Sequence, residues 1–171
     1  MSLHRFLFVE VNKLQRKVFA TINTLTQIVF TGDNIIIKTW STLKYLNHLD
    51  EARLIRRLFT NLMIVTDLQK QDKICLDNTN LLYTLSQEKP EIGTVRETFL
   101  ANQLTSTGHT VEYAGYKKGD FRVDGDIVIE VGGQDKGSSQ IAGQDKAYVA
   151  ADGIEYAFMH KIPLLAFGFL Y

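Results

Sequence analysis

The chain has 171 residues, 45% hydrophobic and 22% charged, enough apolar material for one large domain or two small ones. Its 19 Lys+Arg balance its 19 Asp+Glu, which excludes a bulk attraction to nucleic acid and leaves such affinity to a local patch. A single cysteine, Cys75, excludes an internal disulfide and predicts a reducing, cytoplasmic setting, and no apolar window approaches the ~18 residues of a membrane span.

Residues 1–31 contain neither Gly nor Pro, and Leu7, Val11, Leu14, Val18, Ile22, Leu25 and Val29 recur at steps of three and four. That stripe predicts one long helix, or two divided near Thr21, Asn23 and Thr24, stopping at Gly32. Asp33 or Asn34 then caps a second helix over roughly 35–50. Ile36, Trp40, Leu43 and Leu46 share one side of it, and Lys38, Ser41, Tyr45 and His48 the other. The run Arg53-Leu-Ile-Arg-Arg-Leu-Phe59 is mixed polar and β-prone, and Leu62–Val65 and Lys73–Leu76 are predicted strands around the polar loop 66–72. Cys75 falls inside Lys73-Ile-Cys-Leu76 and is expected to be a small core residue. Helices, a helix-turn-helix and a two-stranded wing make the order of a winged-helix domain over 1–77.

Asp77-Asn-Thr-Asn80 and Ser86-Gln-Glu-Lys-Pro90 read as junctions. Residues 91–106 predict a helix with Ile92, Val95, Phe99 and Leu100 on its apolar face and Gly108 beyond its end. Thr110–Ala114, Phe121–Val123 and Ile127–Val131 are short β-runs. Residues 132–143 are a loop rich in Gly, Ser and Gln, 142–157 is ambiguous, and the apolar run 162–171 suits a fully buried strand. A second domain over 78–171, mixed α/β or α+β, follows.

Chemistry concentrates in Lys118-Gly-Asp-Phe-Arg-Val-Asp-Gly-Asp-Ile-Val-Ile-Glu-Val-Gly-Gly133. Asp120 opens one apolar run and Glu130 lies near the end of the next. On neighbouring strands the two carboxylates converge on one divalent cation, and Mg²⁺ suits such an all-oxygen set. A metal-dependent nuclease usually adds a lysine two residues after the glutamate, to polarise the attacking water. Here that position is Gly132, and without the lysine water activation falls to the metal alone.

The ordered motifs Ile92-Gly-x-x-Arg-Glu97, Gly119-Asp-Phe121, Ile129-Glu-Val-Gly-Gly133 and Lys161-Ile-Pro-Leu-Leu-Ala-Phe-Gly-Phe-Leu-Tyr171 resemble the C-terminal region of prokaryotic AAA+ ATPases. In that family an ATPase module precedes a winged helix and a degenerate PD-(D/E)xK nuclease-like domain. The likeness is loose over 1–77 and tight over 91–171. These residues contain no Gly-x-x-x-x-Gly-Lys-Ser/Thr, so they do not encode the family's ATPase module. The resemblance implies Glu97 as the helix carboxylate, Asp120 and Glu130 as the strand pair and Gln140 as the following glutamine. Lys136 lies four residues beyond the lysine slot.

Each feature has a plainer reading beside the functional one. Asp120 is also a common turn residue, and Asp124 and Asp126 around Gly125 fit a solvated hairpin turn. Arg96 beside Glu97 fits an ordinary helix-surface pair, and Gly132-Gly133 a turn or a phosphate nest. The four His, at 4, 48, 109 and 160, lack close ligand spacing, so no zinc site is expected. Lys38, Ser41, Lys44, Tyr45, His48, Arg53, Arg56 and Arg57 form the candidate DNA-binding face. The expectation is an accessory nucleic-acid-binding region of an AAA+ ATPase-type protein, its nuclease-like domain silent and not an enzyme on its own. A metal-dependent nuclease with a relocated lysine is the first alternative. A protein-interaction module, partnering an ATPase module or another protein, is the second.

Overall fold

The computed structural model describes residues 46–60, 73–86, 89–115 and 118–170. All belong to one compact unit, Leu43–Tyr171; a second, Met1–Thr42, lies outside the described residues. The predicted helices before residue 46 and the predicted strand Leu62–Val65 also lie outside them.

Among the described residues the architecture is mixed α and β, with two sheets. Residues 46–51 are helical and lead through a turn into β1 (Ile55–Leu58). β1 pairs antiparallel with β2 (Lys73–Leu76), from Ile55 opposite Leu76 to Leu58 opposite Lys73. So the β-prone run after Arg53 supplies the partner of Lys73–Leu76. The short helix α1 (Thr79–Leu85) follows, capped by the Asn78 side chain on the Leu81 amide.

Helix α2 (Ile92–Ser106) buries Thr98, Leu100, Ala101 and Leu104. Ile92, an expected core residue, is 51% exposed. The buried stripe begins about one and a half turns later, so Glu97 lies where the helix passes the sheet. Gly108, at φ +90°, closes the helix in a conformation open to glycine.

The second sheet runs β3 (Val111–Tyr113), β4 (Phe121–Val123), β5 (Ile127–Gly132), β6 (Ala147–Ala151) and β7 (Lys161–Pro163), in that spatial order. β3, β4 and β5 form an antiparallel meander, and β6 and β7 extend it in parallel. The β4–β5 turn places Asp124 and Gly125 at φ +52° and +75°, which is the reverse-turn geometry a tight hairpin favours. The Asp124 carboxylate ties that turn to the helix exit, accepting from the Thr110 amide and contacting His109 Nδ1. In the ambiguous 142–157 region, β6 is buried on both faces: Ala150 joins one apolar cluster, Val149 and Ala151 the other.

The terminal apolar run is not one buried strand. It forms β7 and then 3-10 turns over Leu164–Phe169. Pro163 ends the strand because it has no N–H to donate. Three residues per turn then bury Leu164 and Phe167 while Leu165 and Phe169 stay exposed.

The β1–β2 hairpin is part of this core. Leu58 and Cys75 share one apolar cluster with Leu100, Leu104, Phe121 and Ile129. The Tyr113 amide donates to Phe59 O at 2.9 Å, joining the end of the hairpin to the meander. Among the described residues no helix is long and apolar enough to cross a membrane.

Candidate acid and lysine site

The β4–β5 register sets the acid pair. Phe121 faces Ile129, so one step further places Asp120 beside Glu130. The Asp120 amide donates to Ile129 O at 3.0 Å, and its carboxylate accepts the Val131 amide at 2.7 Å. Asp120 is therefore held at the strand entrance by backbone bonds on both sides of Glu130.

Glu130 is 1% exposed. A buried carboxylate needs compensation. Lys136 supplies it, with Nζ 2.5 Å from Glu130 Oε1. With its amide nitrogen toward Glu130, the orientation that avoids opposing two oxygens, Gln140 donates to Oε2 and Oε1 at 3.1 and 2.9 Å. Burial pushes the Glu130 carboxyl above its ordinary range; Lys136 opposes that push and nearby Asp120 adds to it. The same hydrogen bond raises the pKa of Lys136.

Lys136 reaches Glu130 because position 132 has no side chain. A Cβ built on Gly132 would lie 2.4, 2.5 and 2.8 Å from Lys136 Cγ, Cβ and Cδ. The turn that returns the chain is closed by the Lys136 amide on Gly133 O at 3.0 Å. Arg96, next to Glu97 on α2, packs its guanidinium on Gly133 and bonds Asp152 Oδ2 at 2.9 Å, so it is more than a surface neighbour of Glu97. The Asp152 amide in turn holds Gly132 O, and Lys161 Nζ holds Gln134 O.

A second lysine enters from the hairpin. Lys73 Nζ lies 2.6 Å from Glu97 Oε2 and 3.8 Å from Asp120 Oδ1. It also lies 4.9 Å from the Phe121 ring centroid and 5.9 Å from that of Tyr113. Burial works against its charge, but Glu97 and then Asp120 outweigh burial, and its pKa is raised. Sequence reasoning passed over Lys73, because the residue belongs to a strand whose packing is not local. Its one signal is a lysine heading an otherwise apolar run.

Glu97, Asp120, Glu130, Lys136 and Gln140 are thus brought into one neighbourhood with Lys73. The carboxylates divide: Glu97 and Asp120 share the Lys73 ammonium, while Glu130 turns to Lys136 and Gln140. No three His, Cys, Asp or Glu gather as a metal cluster among the described residues. Glu97 and Asp120 nonetheless reach a single cation with oxygen donors, which suits the one or two carboxylates a Mg²⁺ ion takes alongside water.

Of the candidate DNA-binding residues, Lys38, Ser41, Lys44 and Tyr45 lie outside the described residues. His48 is exposed and 3.4 Å from Glu51. Arg53 is exposed in the turn before β1. Arg56 and Arg57 are committed inward. Arg56 bonds Asp77 at 2.6 Å and Arg57 bonds Asp50 at 3.1 Å, with side chains only 17% and 11% exposed. Arg57 also lies over the Phe59 ring.

The chain matches no protein-family model, no curated protein and no solved structure.

Proposed function

We propose that this unit is a PD-(D/E)xK-type domain that hydrolyses phosphodiester bonds in nucleic acid with a divalent cation, its lysine relocated to Lys136, within an AAA+ ATPase-type protein. The observation that carries the reading is the Lys136 side chain crossing Gly132 to Glu130. It restores an ammonium beside the glutamate that the sequence spacing omits. The order of helix, three-strand antiparallel meander and parallel strands supports the same reading, with acids at the helix and at adjacent strands.

In this mechanism Glu97 and Asp120 would hold the cation, most simply Mg²⁺. When bound, the ion supplies neutralising charge and an acidified water. Lys136 opposes the burial that raises the Glu130 carboxyl and would present its ammonium toward charge developing at the phosphate. Gln140 fixes the Glu130 carboxylate by donating to both oxygens. Arg96 and Asp152 position the Lys136 turn.

A second reading has its own observation. Lys73 already neutralises Glu97 and Asp120, which favours a silent nuclease-like domain acting as an accessory nucleic-acid-binding region. Cleavage of labelled duplex and single-stranded DNA in Mg²⁺ and Mn²⁺ separates the two. The nuclease reading expects metal-dependent cleavage, abolished in Glu130→Ala and lowered about 10²-fold or more in Lys136→Ala. No cleavage at saturating metal overturns it in favour of the silent domain.

A further inference from the structure

The Glu97–Asp120 pair does not wait for a cation, since an amine from another part of the fold is already there. Lys73 is the first residue of β2, opposite Leu58 in the hairpin, and its ammonium lies near the Phe121 and Tyr113 rings and reaches both carboxylates. The lysine is anchored by the hairpin's own packing, with Leu58 and Cys75 in the main core. Its side chain is 21% exposed, against 29% for Glu97 and 21% for Asp120, so the three groups are mutually shielded from water. Glu130 is not part of this contact; its partners are Lys136 and Gln140.

We propose that Lys73 is the resident cation of the Glu97–Asp120 pair and sets the site's affinity for divalent ions, which bind there only as the ammonium swings out. The inference rests on the nuclease reading for the nature of the competing ion. Two cations 2.6 Å from the same oxygen exclude one another by size and by charge. Binding a divalent ion therefore gives up a charge-assisted hydrogen bond, and affinity falls by the worth of that bond. The hairpin becomes a determinant of the catalytic threshold: anything that draws Lys73 off the acids opens the site, and anything that seats the hairpin more firmly closes it.

The test is Mn²⁺ binding to the full chain by titration calorimetry, with free Mn²⁺ followed by electron paramagnetic resonance. Lys73→Gln keeps a hydrogen-bond donor for Glu97 and removes the charge. It should bind Mn²⁺ about tenfold more tightly than the parent, or better. The gain should vanish when Asp120→Asn is added. Lys73→Arg keeps the charge and should stay as weak as the parent. Melting temperature gives a second readout. Chelator should leave the parent unchanged but lower Lys73→Gln, and Mn²⁺ should restore it. A third uses the unaltered chain, where saturating Mg²⁺ should speed modification of Lys73 by an amine-reactive reagent, read by peptide mass spectrometry. Equal Mn²⁺ affinity in parent and Lys73→Gln, or none in either, overturns the inference. So does a gain that survives Asp120→Asn, or an unchanged Lys73 reactivity with metal bound. Tighter Mn²⁺ binding by Lys73→Gln without DNA cleavage upholds the inference and sinks the nuclease reading. Metal-dependent cleavage by the parent with equal affinities does the reverse.

Discussion

The side chain of Lys136 lies across the backbone of Gly132, so closely that a methyl group on Gly132 would overlap its Cβ, Cγ and Cδ. The two positions are therefore coupled. A side chain at 132, including the lysine a paired-acid motif usually carries there, would push Lys136 away. The bare glycine admits a lysine that arrives from the far side of a turn. Gly132 is not among the residues with positive φ, and the three atoms nearest to a Cβ built there all belong to Lys136.

That coupling makes Gly132→Ala a test of the Glu130 environment. The added Cβ meets Lys136 at 2.4 Å, and the atoms it meets include the Lys136 Cβ, which cannot swing aside cheaply. The lysine should leave Glu130, whose carboxylate is then buried with Gln140 alone. We expect a loss of about 1–3 kcal/mol in urea unfolding, similar to that of Lys136→Ala. The combination Gly132→Lys with Lys136→Ala should recover part of it by supplying the ammonium from the usual position. A double variant no more stable than Lys136→Ala alone would show that the site reads loop geometry and not charge.

The strand acids were legible because each one interrupts an apolar pattern. Asp120 and Glu130 bracket two β-runs, whereas Glu97 was marked only by the family resemblance. Antiparallel register does the rest, since a turn centred on Gly125 brings 120 and 130 together. Lys136 was visible only as a residue four places from an empty slot. Its reach depends on the turn that returns its amide to Gly133 O, and on contacts from Arg96 and Lys161 that no local pattern contains. Lys73 was less legible still. Its role requires a hairpin with Ile55–Leu58 as the partner strand, packed beside the meander. The C-terminal run misled by composition, because a proline at an edge strand outweighs apolar content.

The Lys136–Glu130 pair should have a characteristic pH signature. The Glu130 carboxyl is raised in the folded state, by burial first, with Lys136 opposing. A raised acid favours folding most below the ordinary carboxylate range, and that contribution is lost as pH rises through its folded pKa. Lys136→Met removes the opposing cause and raises the carboxyl further. The stability gap between parent and variant should thus be small near pH 4 and widen toward pH 7. Urea unfolding across that range checks the sign. A gap that widens toward acid would mean that Glu130 is not the group Lys136 serves.

Cys75 is buried, and that burial pushes its thiol up to about 11. Reaction requires the thiolate, so at pH 8 about one thiol in a thousand is reactive, and that fraction is shielded by the core. The native chain should react with an aromatic disulfide reagent at least about 10²-fold more slowly than the urea-unfolded chain. Rapid stoichiometric labelling under native conditions would show that the β1–β2 hairpin opens readily, which would also loosen Lys73.

Arg56 decides between two roles for the basic residues at the hairpin. As part of a DNA-binding face it would meet phosphates, and its loss would lower the slope of log K against log salt by about one unit. Its geometry favours the other role. The guanidinium bonds Asp77 at 2.6 Å, both side chains are about five-sixths covered, and Asp77 leads from β2 into α1. Removing it leaves Asp77 shielded and unpaired, which should cost about 1–3 kcal/mol, reduced from a fully buried pair by the remaining exposure. We expect Arg56→Ala to lower the urea midpoint while leaving any salt slope for duplex DNA unchanged. Arg53, exposed in the neighbouring turn, is the control: Arg53→Ala should leave stability nearly intact and is the change able to move the slope. A flattened slope in Arg56→Ala with normal stability would return this arginine to the DNA-binding face and show that its pairing with Asp77 gives way when phosphate is present.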